Sequence, residues 1–170
     1  MRIRPATPAD VPAILPMVAA LCAQHEAWDP ERYGYLPGVV ERYRRWLPQR
    51  AADPRSVLLI AEDAGTERVV ERSPGSGAIP LAGFLVGTVE ANIPIYTLTE
   101  FGFIHDMWVD PAQRRRGIAR ALVLAAVERF RAMGVSQVRL ETATANEGAR
   151  RLFESCGFRI GAVDMLRVIG

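Results

Sequence analysis

The stretch Val109-Asp110-Pro111-Ala112-Gln113-Arg114-Arg115-Arg116-Gly117-Ile118-Ala119 gives the strongest indication of the fold. A strand pattern ends at Val109, Pro111 starts a turn, and a basic loop leads into an amphipathic helix predicted over 117–133. Glycine at 117 lets the backbone approach a ligand closely, and the unpaired N–H groups of a helix N-terminus attract phosphate oxygens. Three arginines alone would indicate only a solvated surface. The whole arrangement predicts an anion-binding turn that is neither a P-loop nor a dinucleotide fingerprint.

Strand and helix patterns alternate on both sides of this turn. Strands are predicted at 2–6, 57–61, 81–91, 101–109 and 135–142, helices from Thr7 onward and at 37–49 and 147–156, and one or two closing strands at 158–169. Gly83 and Gly87 indicate a kink or bulge in the third strand. The order predicts an α/β fold with a sheet of mixed direction and helices on both faces. We expect one domain over 1–170, with the polar, turn-rich segment 66–80 as a mobile hairpin loop.

Composition excludes several classes of protein. The chain has 170 residues, 49% hydrophobic, and a net charge of +2, which fits one folded domain and argues against a disordered chain. The small net charge argues against a nucleic-acid partner, and the lack of about 20 consecutive apolar residues argues against a membrane span. All 21 basic residues other than histidine are arginine. This bias is typical of GC-rich coding and suggests a bacterial source.

The two cysteines, Cys22 and Cys156, lie in apolar helical patterns without the spacing of a metal site or a disulfide framework. We therefore expect two reduced thiols and no bound metal. The first residues lack the apolar segment of a signal peptide. Together these features predict a cytoplasmic protein.

Two segments resemble motifs of the GNAT superfamily of acyl-CoA-dependent N-acyltransferases. Residues 114–119 resemble its Arg/Gln-x-x-Gly-x-Gly/Ala motif, and Asn146 to Phe158 resembles its Asn-x-x-Ala segment that ends in Gly-Phe. The order of elements is similar as well. The resemblance implies a GNAT-like, mostly antiparallel sheet, with acetyl-CoA as co-substrate. It also implies direct acetyl transfer to a primary amine in a ternary complex, and a homodimer, because dimers are frequent among relatives.

The resemblance also implies which residues hold coenzyme A. Loop amides would bind the pyrophosphate, arginine side chains would add charge, the backbone of the preceding strand would pair with the pantetheine arm, and Asn146 would bind that arm from the opposite side or simply cap its helix. In this sequence the set is Met107, Val109, Arg114, Arg115, Arg116, Gly117, Ile118, Ala119, Arg120 and Asn146.

His105 is the preferred candidate for the base that takes the proton of the amine. Its unperturbed pKa near 6.5 suits proton uptake around neutrality, although a strand histidine often only packs against its sheet. Glu100 and Glu90 are the alternative bases. Because strand residues alternate between faces, Asp106 is expected to point away from His105.

The sequence says less about which residues bind the acceptor amine and which group protonates the leaving thiolate. Aromatic and acidic residues that could surround a cationic amine are Trp28, Tyr33, Tyr35, Tyr96 and Asp106. Many relatives carry a tyrosine that protonates the departing thiolate, but Phe153 stands there in this chain. Three interpretations stay open: the thiolate leaves unassisted, Ser155, Tyr96 or water supplies the proton, or turnover is lost. The last would leave an acyl-CoA-binding regulatory module of the same fold.

Overall fold

A five-stranded sheet in the order β1-β2-β3-β4-β5 organises the computed structural model, which describes residues 1–62 and 81–169. The strands are β1 (Arg2–Pro5), β2 (Ser56–Glu62), β3 (Leu81–Ala91), β4 (Glu100–Val109) and β5 (Val138–Leu140). The first three pairings are antiparallel and β4 pairs with β5 in parallel. The predicted mixed, mostly antiparallel sheet is thereby confirmed. The loop predicted at 66–80 lies outside the described residues.

Helices cover both faces of this sheet, as predicted, and the described residues form five α-helices in all. They are α1 (Val11–Trp28), α2 (Pro30–Tyr33), α3 (Val39–Ala52), α4 (Ile118–Ala132) and α5 (Glu147–Ser155). Helices α1 and α3 pack on one face, and α4 and α5 on the other. The short α2 forms between the first two predicted helices because Pro30 suits a first helical position and the Asp29 carboxylate accepts a hydrogen bond from the backbone N–H of Arg32 at 3.1 Å.

Strand alternation divides the apolar residues of β2 and β3 between two cores. Leu58, Ile60, Phe84 and Val86 face α1 and α3, whereas Leu59 and Leu85 face α4. Both strands are buried on both sides, which explains why they read as continuous apolar runs. Strand β2 pairs with β3, and β3 in turn pairs with β4 and positions it in the sheet.

A bulge in β4 interrupts this alternation. Asp106 lies opposite Val86, and Ile104 lies opposite Gly87, so that His105 is an extra residue on β4. The predicted irregularity near Gly87 is therefore present, but the additional residue belongs to the neighbouring strand. A bulge of this kind bends the strand and redirects the side chains that follow it.

The bulge places His105 and Asp106 on the same side of the sheet. The His105 ring lies 5.6 Å from the Trp46 ring, centroid to centroid, and the Tyr43 hydroxyl donates a hydrogen bond to Asp106 Oδ2 at 2.7 Å. Both aromatic residues belong to α3. The expectation that His105 and Asp106 point to opposite faces is therefore wrong, because it assumed an uninterrupted period of two.

The C-terminal segment also differs from the sequence expectation. No strand forms over 158–169, where one or two were predicted. Phe158 packs against the core beside α5, and residues 159–169 are exposed. None of the backbone groups of 159–169 pairs with another backbone group in the described part of the chain. Strand-forming composition alone does not make a strand without a partner.

Candidate active site

An open cleft of about 260 Å³ lies between α3 and β4. It is lined by Arg42, Tyr43, Trp46, His105 and Asp106. The cleft thus combines aromatic walls with two titratable groups that the bulge in β4 brings to one side. Such a combination of apolar surface and convergent polar groups is typical of small-molecule sites.

The His105 side chain lies at the floor of this cleft with a defined set of neighbours. Its Nε2 lies 2.7 Å from Thr88 Oγ1 and 3.5 Å from Glu90 Oε1. Phe103 contacts the ring edge-on at a centroid distance of 5.1 Å. Burial lowers the pKa of His105 below its ordinary value of 6.5, against the opposing charge of Asp106. The imidazole is therefore neutral at pH 7 and able to accept a proton.

Asp106 is a half-buried carboxylate that accepts a hydrogen bond from the Tyr43 hydroxyl. Burial raises its pKa above the ordinary value of 3.8, while the hydrogen bond from Tyr43 and the neighbouring His105 act in the opposite direction. An acidic group with an elevated pKa beside a histidine with a lowered one is a common feature of functional sites.

We expect Asp106→Asn to raise the thermal stability of the protein at neutral pH. The native state disfavours the ionised carboxylate, so this group costs stability above its native pKa, and that cost disappears as the pH falls towards about 4. The gain in the variant should therefore shrink on acidification. Melting temperatures of wild type and variant between pH 4 and 8 measure this difference.

Tyr43→Phe is the matched control, because it keeps the carboxylate and removes its hydrogen-bond donor. This variant should be less stable than wild type at neutral pH, since a half-buried acceptor loses its partner. An Asp106→Asn protein that is less stable than wild type across the whole pH range would contradict the electrostatic description of the cleft.

Three of the predicted acceptor residues form an aromatic cluster around His25. The His25 ring stacks on Tyr33 with centroids 4.7 Å apart and lies 5.6 Å from the Trp28 ring. Its Nδ1 lies 3.2 Å from the Tyr35 hydroxyl. Burial lowers the pKa of His25 below its ordinary value of 6.5, against the opposing charge of Asp106.

Glu100 and Tyr96 lie elsewhere. Glu100 begins β4 and forms an ion pair with Arg55. Glu100 lies five positions before His105 along the strand, at about 3.3 Å per position. Tyr96 is exposed in the connection between β3 and β4. The structure does not bring these two predicted site residues together with His105 in the cleft.

The predicted phosphate turn has an unusual backbone. Arg115 has φ of 61°, and Gly117, which precedes α4, has φ of 77°. No side chain caps the first turn of α4. A Cβ added at Gly117 would meet no atom within 4 Å, so its positive φ, and not packing inside the chain, calls for glycine. Uncapped amides after left-handed residues are typical of anion-binding loops.

The side chains of this turn have different surroundings. Arg114 Nε donates to the Val109 carbonyl at 3.1 Å, and its guanidinium lies 4.8 Å from the centre of the Trp108 ring. Arg116 donates a hydrogen bond to Gln113. Arg115 and Arg120 are exposed, as are the other two arginines. Arg114 therefore also ties the turn to the end of β4.

Within residues 1–62 and 81–169, a gap opens beside the second half of β4. Strand β5 pairs with β4 only over Gly102–Ile104. The Asp110 N–H donates to Ala82 on the β3 side at 2.9 Å. Backbone groups alternate in direction along a strand, so Met107 and Val109 direct theirs away from β3, into the space that β5 does not occupy. The gap runs from the cleft towards the phosphate turn.

Asn146 and Phe153 have structural roles in α5. The Asn146 side chain caps the helix by accepting a hydrogen bond from the Ala149 N–H at 3.2 Å. Phe153 is buried against the core with its ring 5.9 Å from that of Phe158. Cys156 packs against the same core and Cys22 is buried. Both thiols are free, as predicted.

Sequence reasoning missed Tyr43 and Trp46 as cleft residues. They share a helical face with the buried Leu47, and such a spacing is typical of a helix face that packs on a core. Thr88, the nearest polar neighbour of His105, was missed as well. Only its place inside an apolar strand pattern, where a hydroxyl needs a partner, could have indicated it.

No helix in residues 1–62 or 81–169 is long and apolar enough to cross a membrane. Within the same ranges, no three His, Cys, Asp or Glu side chains are arranged to hold a metal ion.

Comparison with known proteins gives matches along most of the chain. A mycothiol acetyltransferase from Thermobispora bispora is 42% identical over 65 residues, which are 38% of this chain and 22% of that protein. One from Segniliparus rotundus is 26% identical over 145 residues, 84% of this chain and 47% of that protein. The chain thus spans less than half the length of either relative.

Solved structures support the fold. A variant of the BH1408 protein from Bacillus halodurans superposes with a TM-score of 0.78 at 19% identity, covering 99% of both chains. The model of the acetyltransferase (GNAT) family matches residues 21–158. This range includes the cleft, the gap and the phosphate turn, and the resemblance inferred from the two sequence motifs is confirmed. The chain belongs to the GNAT family of acetyltransferases.

Proposed function

We propose that this protein transfers an acetyl group from acetyl-CoA to a primary amine, directly and within a ternary complex. One observation carries the proposal: β4 joins the phosphate turn at its end to a half-buried histidine at its bulge, and no strand in residues 1–62 or 81–169 pairs with β4 between them on the side away from β3. Val109 lies four positions after His105 on β4, at about 3.3 Å per position. An extended arm with phosphates at one end and a thioester at the other fits this layout.

Coenzyme A would bind with its pyrophosphate at the first turn of α4. The amides of Arg115 to Arg120 are the donors, the helix N-terminus supplies partial positive charge, and the exposed side chains of Arg115, Arg116 and Arg120 add full charge. Met107 and Val109 would hydrogen-bond the amides of the pantetheine arm in the gap, as an added strand does. The capping role of Asn146 leaves its amide N–H₂ group available for the same arm.

The residues of the cleft would then carry out the acetyl transfer. The amine nitrogen attacks the thioester carbonyl carbon and loses its proton to the ring of His105, directly or through water. The Thr88 hydroxyl donates its one proton to Glu90 and therefore accepts from His105 Nε2–H, which leaves Nδ1 as the nitrogen that takes up the proton.

A backbone N–H near Val109 stabilises the oxyanion. The carbon–sulfur bond breaks and the thiolate leaves. Phe153 has no exchangeable proton, so the thiolate leaves unassisted or takes a proton from water, Ser155 or Tyr96.

The charges around the cleft favour a cationic acceptor. Asp106 and Glu90 both lie beside His105, and the aromatic cluster of Trp28, Tyr33 and Tyr35 would contact the carbon skeleton of the amine. The acceptor of the mycothiol acetyltransferases therefore belongs in any test panel, together with polyamines, amino acids, aminoglycosides and peptide N-termini.

An acceptor screen tests the proposal. Purified protein, acetyl-CoA and one amine at a time are monitored for thiol release, and the N-acetylated product is identified by mass spectrometry. We expect at least one amine to give equimolar thiol and product. Binding of coenzyme A without turnover on any amine would instead favour the acyl-CoA-binding regulatory module. Absence of binding at near-millimolar coenzyme A would contradict both functions.

A further inference from the structure

Thr88 and Glu90 form a chain of hydrogen bonds that ends on the His105 ring. They are two positions apart on β3, so their side chains lie on the same face of the sheet. Thr88 Oγ1 lies 2.6 Å from Glu90 Oε1 and 2.7 Å from His105 Nε2. The direct distance from Nε2 to Oε1 is longer, at 3.5 Å. The hydroxyl is therefore the link between the carboxylate and the imidazole.

The number of available protons decides the direction of each hydrogen bond. A carboxylate only accepts, and two oxygens 2.6 Å apart need a proton between them, so the single hydroxyl proton of Thr88 goes to Glu90. The hydroxyl then offers only lone pairs to Nε2, which must carry a proton of its own. The chain of hydrogen bonds thus selects one of the two neutral tautomers of His105.

The surroundings of Thr88 show that its hydroxyl does more than fill space. Thr88 is 7% exposed and follows the apolar stretch from Leu81 to Gly87, where valine would pack equally well. Its partner in the register of β4 is Phe103, which offers no polar group. A buried hydroxyl needs a hydrogen-bond partner. Within residues 1–62 and 81–169, the Thr88 hydroxyl has only Glu90 and His105.

We propose that Thr88 and Glu90 are positioning residues for the acetyl transfer. They hold His105 as the Nε2–H tautomer, so that Nδ1 is free to take the proton of the amine, and the Glu90 carboxylate stabilises the imidazolium that results. This inference rests on the proposed function. In the step itself the amine N–H bond breaks and an Nδ1–H bond forms, while the protons on Nε2 and on the Thr88 hydroxyl stay in place. Glu90 thus acts through His105 and is not the base.

The charges around the ring predict how Glu90 affects it. Burial lowers the pKa of His105, Asp106 on β4 and Glu90 on β3 raise it, and Arg50 on α3 lowers it. Glu90→Gln removes a charge that favours the imidazolium and should therefore lower the pKa further. Glu100→Gln is the matched control, because Glu100 pairs with Arg55 away from the cleft, and it should leave the pKa of His105 unchanged in an NMR titration.

Nitrogen-15 NMR of the imidazole tests the tautomer without any substrate. The chain has two histidines, and the ring signals that are lost in His105→Gln belong to His105. At pH 8 the wild-type ring should carry its proton on Nε2 and none on Nδ1. Thr88→Val removes the acceptor of that proton and should change the ratio of the tautomers by about 10-fold. Thr88→Ser keeps the hydroxyl and should restore the wild-type spectrum.

Turnover of the best acceptor amine gives the second test. Thr88→Val and Glu90→Gln should each lower kcat by about 10-fold, because each removes one hydrogen bond of the chain, and the KM for acetyl-CoA should not change. Thr88→Ser should recover most of the loss. A loss that Thr88→Ser does not recover, or one confined to KM, would reduce the two residues to packing and overturn the proposal.

The two readouts separate this inference from the proposed function. A wild-type protein that acetylates an amine but carries the ring proton on Nδ1 would overturn the inference alone. The same holds for a Thr88→Val variant with the wild-type ring spectrum, or for an unchanged pKa of His105 in Glu90→Gln. A protein that shows the Nε2–H tautomer and acetylates no amine would contradict the acetyl transfer, and with it the positioning role.

Discussion

Replacing Gly117 by valine is expected to weaken coenzyme A binding by roughly 10- to 100-fold while the protein stays folded. A hydrogen bond to a charged group is worth about 1.5–3 kcal/mol, and each 1.4 kcal/mol is tenfold in affinity. Valine disfavours the φ of 77° that Gly117 adopts, so the amides after it would turn away from the phosphates. Titration calorimetry with coenzyme A measures the loss.

Gly134→Val provides the matched control at the other end of α4. Gly134 has φ of 83°, and a Cβ there would also meet no atom within 4 Å. Both substitutions therefore impose a similar backbone strain, but only the one at 117 touches the proposed phosphate site. Equal losses of affinity in the two variants would show that strain in α4, and not the turn, causes the effect.

Replacing His105 by glutamine is expected to lower turnover by roughly 100-fold or more at neutral pH, the contribution typical of a general base. Glutamine keeps the size and some hydrogen bonding of the imidazole but cannot take up a proton. Initial rates of thiol release with the best acceptor amine measure the effect. The KM for acetyl-CoA should change little, because His105 does not belong to the coenzyme site.

The pH profile separates a base from a packing residue. Burial lowers the pKa of His105, so the part of the turnover that depends on His105 should fall with acidification only below pH 6.5. The ratio of wild-type to variant turnover should be largest above pH 6.5. It should decrease at lower pH, where His105 is protonated and no longer acts as a base. Glu100→Gln should stay within about threefold of wild type, because Glu100 pairs with Arg55 away from the cleft. The opposite ranking of the two variants would assign the base to Glu100.

The sequence predicted most of the fold because apolar periodicity and turn signals depend on local residues. The alternating elements, the two-sided helix packing and the irregularity near Gly87 were all readable. The directions of the His105 and Asp106 side chains were not readable, because the bulge places its extra residue on β4, opposite Gly87, and not on β3. Gly87 has no room for a Cβ beside the Phe103 carbonyl and the Phe130 ring, and this crowding arises only from tertiary packing.

The backbone features of the candidate site were predictable from the sequence, whereas the side chains that meet in the cleft were less predictable. The turn at Gly117 follows from a local motif. The cleft required α3 to meet β4, so that Tyr43 reaches Asp106 across 63 positions in the sequence. The closing strands were predicted from composition, but strand pairing needs a partner, and the described chain offers none to 159–169.

Backbone amide NMR with coenzyme A tests the central claim most directly, because it reports on the turn and the gap in one titration. We predict that saturating coenzyme A shifts the amide signals of Met107, Val109 and residues 115–120, and leaves that of Gly134 unchanged. Shifts spread over the exposed arginines elsewhere on α4, with none at Met107 and Val109, would contradict a coenzyme that runs along β4 to His105.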